Sequence, residues 1–257
     1  MKGPSVIRAP LDENVISNAL QSNYWRVRLL PEVSSTQDIL KDKLVSNGDC
    51  VVTEYQSAGR GRLDRSFVSP SHAALLFSFF ITPKRPEDMW GAVPLLAGMT
   101  VAQTLNEISS SENFSTKWPN DVIATTGKVA GILCERYSTG IIVGIGINVS
   151  TLQEELPVPT ATSLYLSTGV EFDRNVLLAA LLNNFAEIFG EWDTGADFRE
   201  SYRQTSETLG RRVEVQLPHA AGDQAAASGV ATDVDSDGAL ILDGGRRITV
   251  GDIIHLR

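Results

Sequence analysis

The 257-residue sequence is poor in the residues that build covalent or metal frameworks, with two cysteines and three histidines. Cys50 and Cys134 form neither a disulfide framework nor a Cys-x-x-Cys pair, so the chain reads as a reduced, cytoplasmic protein with both thiols in a core. His72, His219 and His255 are scattered and show no zinc-ligand spacing. No apolar run approaches the roughly 20 residues that a membrane-spanning helix requires. Met1 to Asn14 lacks the apolar core of a signal peptide. Basic charge is also scarce: 22 Lys and Arg against 31 Asp and Glu give a net charge of −9. That balance argues against a nonspecific nucleic-acid binder, whose footprint is basic. The hydrophobic fraction, 42%, is high enough for a sizeable core and excludes global disorder. The length fits one large domain or a large one with a small appendage.

Three arginines fall close together in one stretch, Glu54-Tyr-Gln-Ser-Ala-Gly-Arg-Gly-Arg-Leu-Asp-Arg-Ser-Phe67. A β-branched run from Cys50 precedes it, and an almost wholly apolar run, Ala73 to Thr82, follows it; both read as strands. Gly59 and Gly61 alternate with Arg60 and Arg62, and Arg65 follows. Glycine lets the backbone come close to a ligand, and the guanidinium is a forked donor for carboxylate or phosphate. From this stretch alone two readings stand: a loop that closes over an anion, and a solvated basic loop.

Along the rest of the chain, apolar spacing predicts a short helix over Leu11 to Leu20, a strand from Trp25 to Leu30, and a helix from Asp38 to Val45 with Ser34, Ser35 or Thr36 as cap. A long amphipathic helix is expected over Met89 to Ile108 and a second over Arg174 to Phe189, with a shorter piece from Ala196 to Thr205. Between them, Lys117-Trp-Pro-Asn-Asp121 leads into Val122 to Ala124, and Lys128 to Glu135 and Gly140 to Val149 complete two antiparallel hairpins. After Leu209 the pattern changes to short strands and glycine turns: Arg211 to Leu217, Ser228 to Val234, Ala239 to Asp243 and Arg246 to Val250. This reads as a small β-barrel, with the Arg211/Arg212 and Arg246/Arg247 pairs as solvated edge-strand charges.

Four motifs then occur in order: Gly59-Arg-Gly-Arg62, Lys117-Trp-Pro-Asn-Asp121, Lys128-Val-Ala-Gly-Ile132 and Gly144-Ile-Gly-Ile-Asn-Val149. Together they resemble the signature set of biotin protein ligases, from about Val33 through Leu164, and the C-terminal strands resemble that family's SH3-like domain. The chain is similar to the shorter, ligase-only members, without the N-terminal winged helix of those that double as repressors. The resemblance implies an α+β fold: a mixed, largely antiparallel central sheet with packed helices, class II synthetase-like, over residues 1–205, and a small SH3-like β-barrel over residues 206–257. It implies two-step chemistry with ATP and Mg²⁺, in which biotin is activated as biotinyl-5'-AMP and passed to a lysine of a biotin carboxyl carrier protein of acetyl-CoA or acyl-CoA carboxylase. No DNA or membrane partner is implied.

The resemblance also implies residue roles. Lys128 contacts the biotin carboxylate and the phosphate it attacks, and Arg60 and Arg62 lie on the closing loop, these three forming the catalytic set. Ser35, Thr36, Gln37, Gln56, Gly59, Gly131 and Gly146 complete the biotin site. Arg62, Arg65, Lys117, Asn120 and Asn148 face ATP, and Asp121 is the carboxylate for Mg²⁺, against the alternative of a plain turn residue. Trp118 is either a wall of the site or a core residue with its N–H bonded. The segment from Glu154 to Thr162 matches the one that folds over the adenine side. Three departures stand out: Gln37 where the family has Asn, Asp64 where it has a turn glycine, and Phe67 where it has Trp. The alternatives are a lipoate or octanoyl ligase of the same superfold, and a non-catalytic RNA-binding module. The acidic balance and the absence of an aromatic RNA-binding strand speak against the latter.

Overall fold

The computed structural model describes residues 8–41, 44–62, 65–109, 114–216 and 226–256. Asp64 and His219 lie outside the described residues. Strands β1 (Arg26–Val33), β2 (Asp49–Gln56), β3 (Ala74–Ile81), β4 (Ser115–Lys117), β5 (Asp121–Ala124), β6 (Gly127–Tyr137) and β7 (Gly140–Asn148) form a seven-stranded sheet in the order β1-β2-β3-β7-β6-β5-β4. Only β1 and β2 are parallel; the other neighbours are antiparallel, as the sequence pattern predicts.

Strand β3 is buried along its whole length and apolar at every position but Ser78, because both of its faces are covered. Leu75, Phe77, Phe79 and Ile81 enter the main core with helices α3 (Val93–Ile108) and α5 (Arg174–Asp193). Phe80 points the other way, into a small cluster with Leu40, Val51 and Ile142. In the main core an aromatic series runs from Trp25 through Phe79, Phe185 and Phe189 to Trp192, with centroid separations of 4.6–5.8 Å. Each such contact adds about 0.5–1.5 kcal/mol beyond its area burial. Helix α1 (Glu13–Ala19) is capped by Asp12, and α5 by Asp173, whose side chains accept from main-chain N–H groups of the first turn.

Several sequence expectations are corrected here. Helix α2 spans Thr36–Lys41, starting before Asp38, so of the three cap candidates Thr36 belongs to the first turn instead. The helix expected over Met89 to Ile108 is a 3₁₀ turn, Glu87–Ala92, followed by α3, because Pro94 has no N–H and fits only in a first turn. Arg212 is not on an edge: β8 (Arg212–Gln216) is flanked on both sides, in the order β11-β10-β9-β8-β12. The other members of this second sheet are β9 (Ala226–Val234), β10 (Leu240–Leu242), β11 (Arg247–Ile248) and β12 (Asp252–His255), all antiparallel. Arg211 and Arg247 are ion-paired, with Glu207 and with Asp235 and Asp237 respectively, rather than simply solvated. Strand β12 and the short helix α4 (Leu164–Thr168) have no counterpart in the sequence reading. Helix α6 (Arg199–Thr205) leads into a segment that adds to β4, through a parallel bridge between Thr116 and Ser206.

Candidate active site

On the sheet face opposite α3 and α5, side chains are missing where strands meet: Gly131 faces Gly146 and Leu133 faces Gly144 across β6 and β7. A Cβ on Gly144 would lie 2.5 Å from Gln37 Nε2, and one on Gly146 would lie 2.8 Å from the Phe67 ring. The glycines thus make a shallow trough into which α2 and the glycine–arginine loop settle. Ser35, Thr36 and Gln37 are each 3% exposed. Thr36 donates from its N–H to Gln56 Oε1 at 2.8 Å, and its hydroxyl lies 2.7 Å from Ser78 Oγ. Gln37 Nε2 donates to Leu133 O at 2.7 Å, while its Oε1 is buried without a hydrogen-bond partner. Gln56 is brought from β2 onto the same polar corner of the trough as Thr36 and Gln37. The departure at Phe67 keeps an apolar body there: its ring packs on Gly146 and its N–H donates to Gly59 O at 2.9 Å.

Of the basic residues named for the site, Lys128, Arg60, Arg62 and Arg65 each have a carboxylate partner. Lys128 Nζ lies 2.5 Å from Asp121 Oδ1 and close beside Gly131. Arg60 donates to Asp38 at 2.7 Å and to Glu135 at 3.3 Å. Arg62 donates to Asn120 Oδ1 at 3.1 Å and to Gly251 O at 3.3 Å, and lies 3.5 Å from Asp252. Arg65 pairs with the same Asp252. Partly exposed pairs of this kind are worth at most about 1 kcal/mol each, so a ligand phosphate or carboxylate replaces them at little cost. Asn120 is held by two bonds to Ile132: its Nδ2 donates to Ile132 O at 2.7 Å, and Ile132 N–H donates to Asn120 O at 2.9 Å.

The segment Thr160–Thr162 runs parallel to Lys128: Lys128 N–H donates to Thr160 O and Thr162 N–H to Lys128 O, both at 2.8 Å. Asn148 Nδ2 donates to Thr162 O at 3.0 Å, so the ends of β6 and β7 share this strap. Lys117 sits opposite Asp121 in register and makes no ion pair among the described residues. It lies near His255, whose imidazole is pushed down to about 4 by burial, with smaller contributions from the Lys117 and Arg211 charges.

A cavity of about 800 Å³ opens beside the loop, bounded by Gly59, Arg60, Arg62, Arg65, Asn120 and Cys134 together with residues of the C-terminal sheet. Lys128, Asp121, Lys117, Asn148 and the Thr36 corner lie outside its lining. Cys134 is therefore not the core residue expected; it is half-buried at the cavity, while Cys50 is buried. Burial raises both thiols above the ordinary range, so neither is a thiolate nucleophile. Trp118 is buried, with its Nε1 donating to Gly238 O at 3.0 Å, and it also borders the cavity. The reading as a core residue with its N–H bonded fits this burial and this bond. Sequence reasoning missed Asp38, Glu135 and Asp252. The last is 187 positions from Arg65, and no local spacing signals it.

A cation-ringed trough with a glycine–arginine lid, on a mixed sheet backed by helices, defines a site that activates one anion with another. Residues 29–151 match the Biotin/lipoate A/B protein ligase family, and residues 208–256 match the Biotin protein ligase C terminal domain. The chain is 35% identical to the biotin--[acetyl-CoA-carboxylase] ligase of Mycobacterium tuberculosis, over 98% of each protein. It is 31% identical to the bifunctional ligase/repressor BirA of Escherichia coli, covering 90% of this chain and 74% of that protein. Its structure is similar to that of the biotin protein ligase from Aquifex aeolicus in complex with biotin and ATP, with a TM-score of 0.76 and 33% identity over 90% of this chain and 98% of that one. The chain belongs to the biotin protein ligase family.

Proposed function

We infer that this protein is an ATP-dependent biotin protein ligase of the cytoplasm. It joins biotin to AMP and then transfers the biotinyl group to a lysine of a biotin carboxyl carrier domain. The observation that carries this reading is Lys128 Nζ, close beside Gly131 of the glycine trough and 2.5 Å from Asp121 Oδ1. In the first step an oxygen of the biotin carboxylate attacks the α-phosphorus of ATP, and the bond to pyrophosphate breaks with its electron pair leaving on pyrophosphate. Two anions must meet, so fixed positive charge is the main requirement. Lys128 supplies it at the reacting oxygens once it exchanges Asp121 for them. Arg60 and Arg62 close the loop over biotin and the adenylate, and Arg62, Arg65, Lys117, Asn120 and Asn148 face the nucleotide. Ser35, Thr36, Gln37 and Gln56 meet the polar edge of the fused ring, while Gly59, Gly131 and Gly146 let main chain approach it.

Among the described residues no three His, Cys, Asp or Glu side chains cluster as a metal site. The single carboxylate of Asp121 fits Mg²⁺ all the same, because that ion keeps waters and takes other ligands from phosphates. Bound there, Mg²⁺ would shield phosphate charge. In the second step the carrier lysine's neutral amine attacks the acyl carbon, AMP leaves with the bonding pair, and the amine loses a proton. We assign this chemistry to residues 1–205, with residues 206–257 as a second domain that closes the cavity. The deciding experiment incubates the protein with ATP, Mg²⁺, a carrier domain and, in parallel, biotin, lipoate or octanoate. Biotin should add to one lysine by mass spectrometry; labelling by lipoate or octanoate alone overturns the assignment.

A further inference from the structure

The turn from Trp118 to Asp121 carries the two side chains that hold the principal cations: Asn120 accepts from Arg62 at 3.1 Å, and Asp121 pairs with Lys128 at 2.5 Å. What seats this turn comes from the far end of the chain. Trp118 N–H donates to Thr208 Oγ1 at 3.0 Å, and the two residues are 2% and 0% exposed. Thr208 Oγ1 in turn lies 3.4 Å from His255 Nε2, on β12. An oxygen that accepts from Trp118 keeps one hydrogen to give, and a neutral imidazole with its proton on Nδ1 presents Nε2 as the acceptor. The low imidazole pKa, about 4, keeps the ring in that neutral form.

We propose that Thr208, oriented by His255, is a positioning residue for biotin activation: its hydroxyl seats the Trp118 main chain and so sets the turn from which Asn120 and Asp121 aim Arg62 and Lys128. The proposal rests on the adenylation chemistry assigned above. The hydroxyl is separable from the docking of the C-terminal sheet, because other links are independent of it. Glu207 N–H donates to Thr116 O at 2.9 Å, and Trp118 Nε1 donates to Gly238 O at 3.0 Å. Removing one hydroxyl therefore shifts the turn without undocking the sheet. A buried N–H that loses its acceptor moves to find another, and small displacements of charge at a reacting centre are costly in rate.

The test compares Thr208→Val, Thr208→Ser, His255→Leu and the Val/Leu double variant in single-turnover formation of biotinyl-AMP, with amide hydrogen exchange over residues 117–121. Thr208→Val should slow the saturated rate about tenfold or more while shifting biotin KM less than about threefold. Thr208→Ser should recover to within about threefold of wild type. His255→Leu should fall between, and the double variant should be no slower than Thr208→Val, since both act through one hydroxyl. Exchange at Trp118 should rise in Thr208→Val. A serine variant as slow as the valine one, additive losses in the double variant, or unchanged exchange at Trp118 would overturn the proposal. Wild-type protein that makes no biotinyl-AMP would overturn the adenylation reading instead, and exchange at Trp118 would still judge the seating of the turn. Should Thr208→Val not fold, the serine and His255→Leu variants carry the same comparison.

Discussion

Lys128 Nζ and Asp121 Oδ1 lie 2.5 Å apart on adjacent strands, so the carboxylate fixes the lysine's ammonium beside Gly131. Lys128→Ala removes the one positioned ammonium of the trough and should lower biotinyl-AMP formation about 10²–10³-fold, the usual cost of losing one preorganised charge donor. Pyrophosphate release measured with saturating biotin and ATP checks this. A rate within about threefold of wild type would remove Lys128 from the reacting centre.

Arg62 ties the glycine–arginine loop to Asn120, Gly251 O and Asp252 at once. Three such partly exposed contacts, each worth at most about 1 kcal/mol, sum to at most about 3 kcal/mol, or up to roughly a hundredfold in an off-rate. Arg62→Gly should let the reactive adenylate escape that much faster. Serum albumin added with biotin and ATP should then become biotinylated without a carrier domain. Equal albumin labelling by wild type and variant would show that Arg62 does not latch the loop.

Gly146 has the Phe67 ring where a Cβ would stand, 2.8 Å away. Gly146→Ala forces the ring off the sheet, an overpacking worth about 1–3 kcal/mol. Biotin affinity by calorimetry should weaken, and Phe67→Ala on top of it should restore part of the loss. A double variant weaker than either single one would contradict the packing account.

Glu54 is buried between Arg174 Nη1, at 2.6 Å, and Leu11 N–H, at 2.5 Å, and Arg174 also donates to Ala9 O and Ala74 O. Arg174→Met removes the arginine of this buried pair and leaves Glu54 with Leu11 N–H and with His72 Nδ1 at 3.2 Å, a loss that costs about 3–5 kcal/mol. At about 2–4 °C per kcal/mol for a chain of this size, the melting temperature should drop by roughly 6–20 °C. A drop under 2 °C, read by calorimetry, would mean that water reaches Glu54.

His255 is held neutral, its imidazole lowered to about 4 by burial and by the Lys117 and Arg211 charges. The unfolded chain therefore binds this proton near pH 6.5 while the folded chain resists it. The sign is fixed: stability is full above 6.5 and falls as pH drops from 6.5 to 4. The ring is partly solvated, so the loss is on the order of 1 kcal/mol after screening. Urea midpoints at pH 7 and 4.5 should differ more for wild type than for His255→Gln. Parallel slopes in the two proteins would refute the assignment.

The sequence alone determined much of this protein. Alternating and helical apolar patterns predicted most of the strands and the long helices, because burial on one face leaves a period of two or 3.6. The motifs marked Arg60, Arg62, Lys117, Asn120, Asp121, Lys128 and Asn148 for the site. Tertiary structure alone decided which of them meet. It set Lys128 on Asp121, gave Arg62 and Arg65 a shared partner in Asp252, and left Lys117 with no ion pair among the described residues. It also split the helix at Pro94, moved α2 onto Thr36, and left Cys134 half-exposed at the cavity. Periodicity reports which face of an element is buried. It does not report which distant segment buries it, and a carboxylate brought from the other end of the chain leaves no local pattern to read.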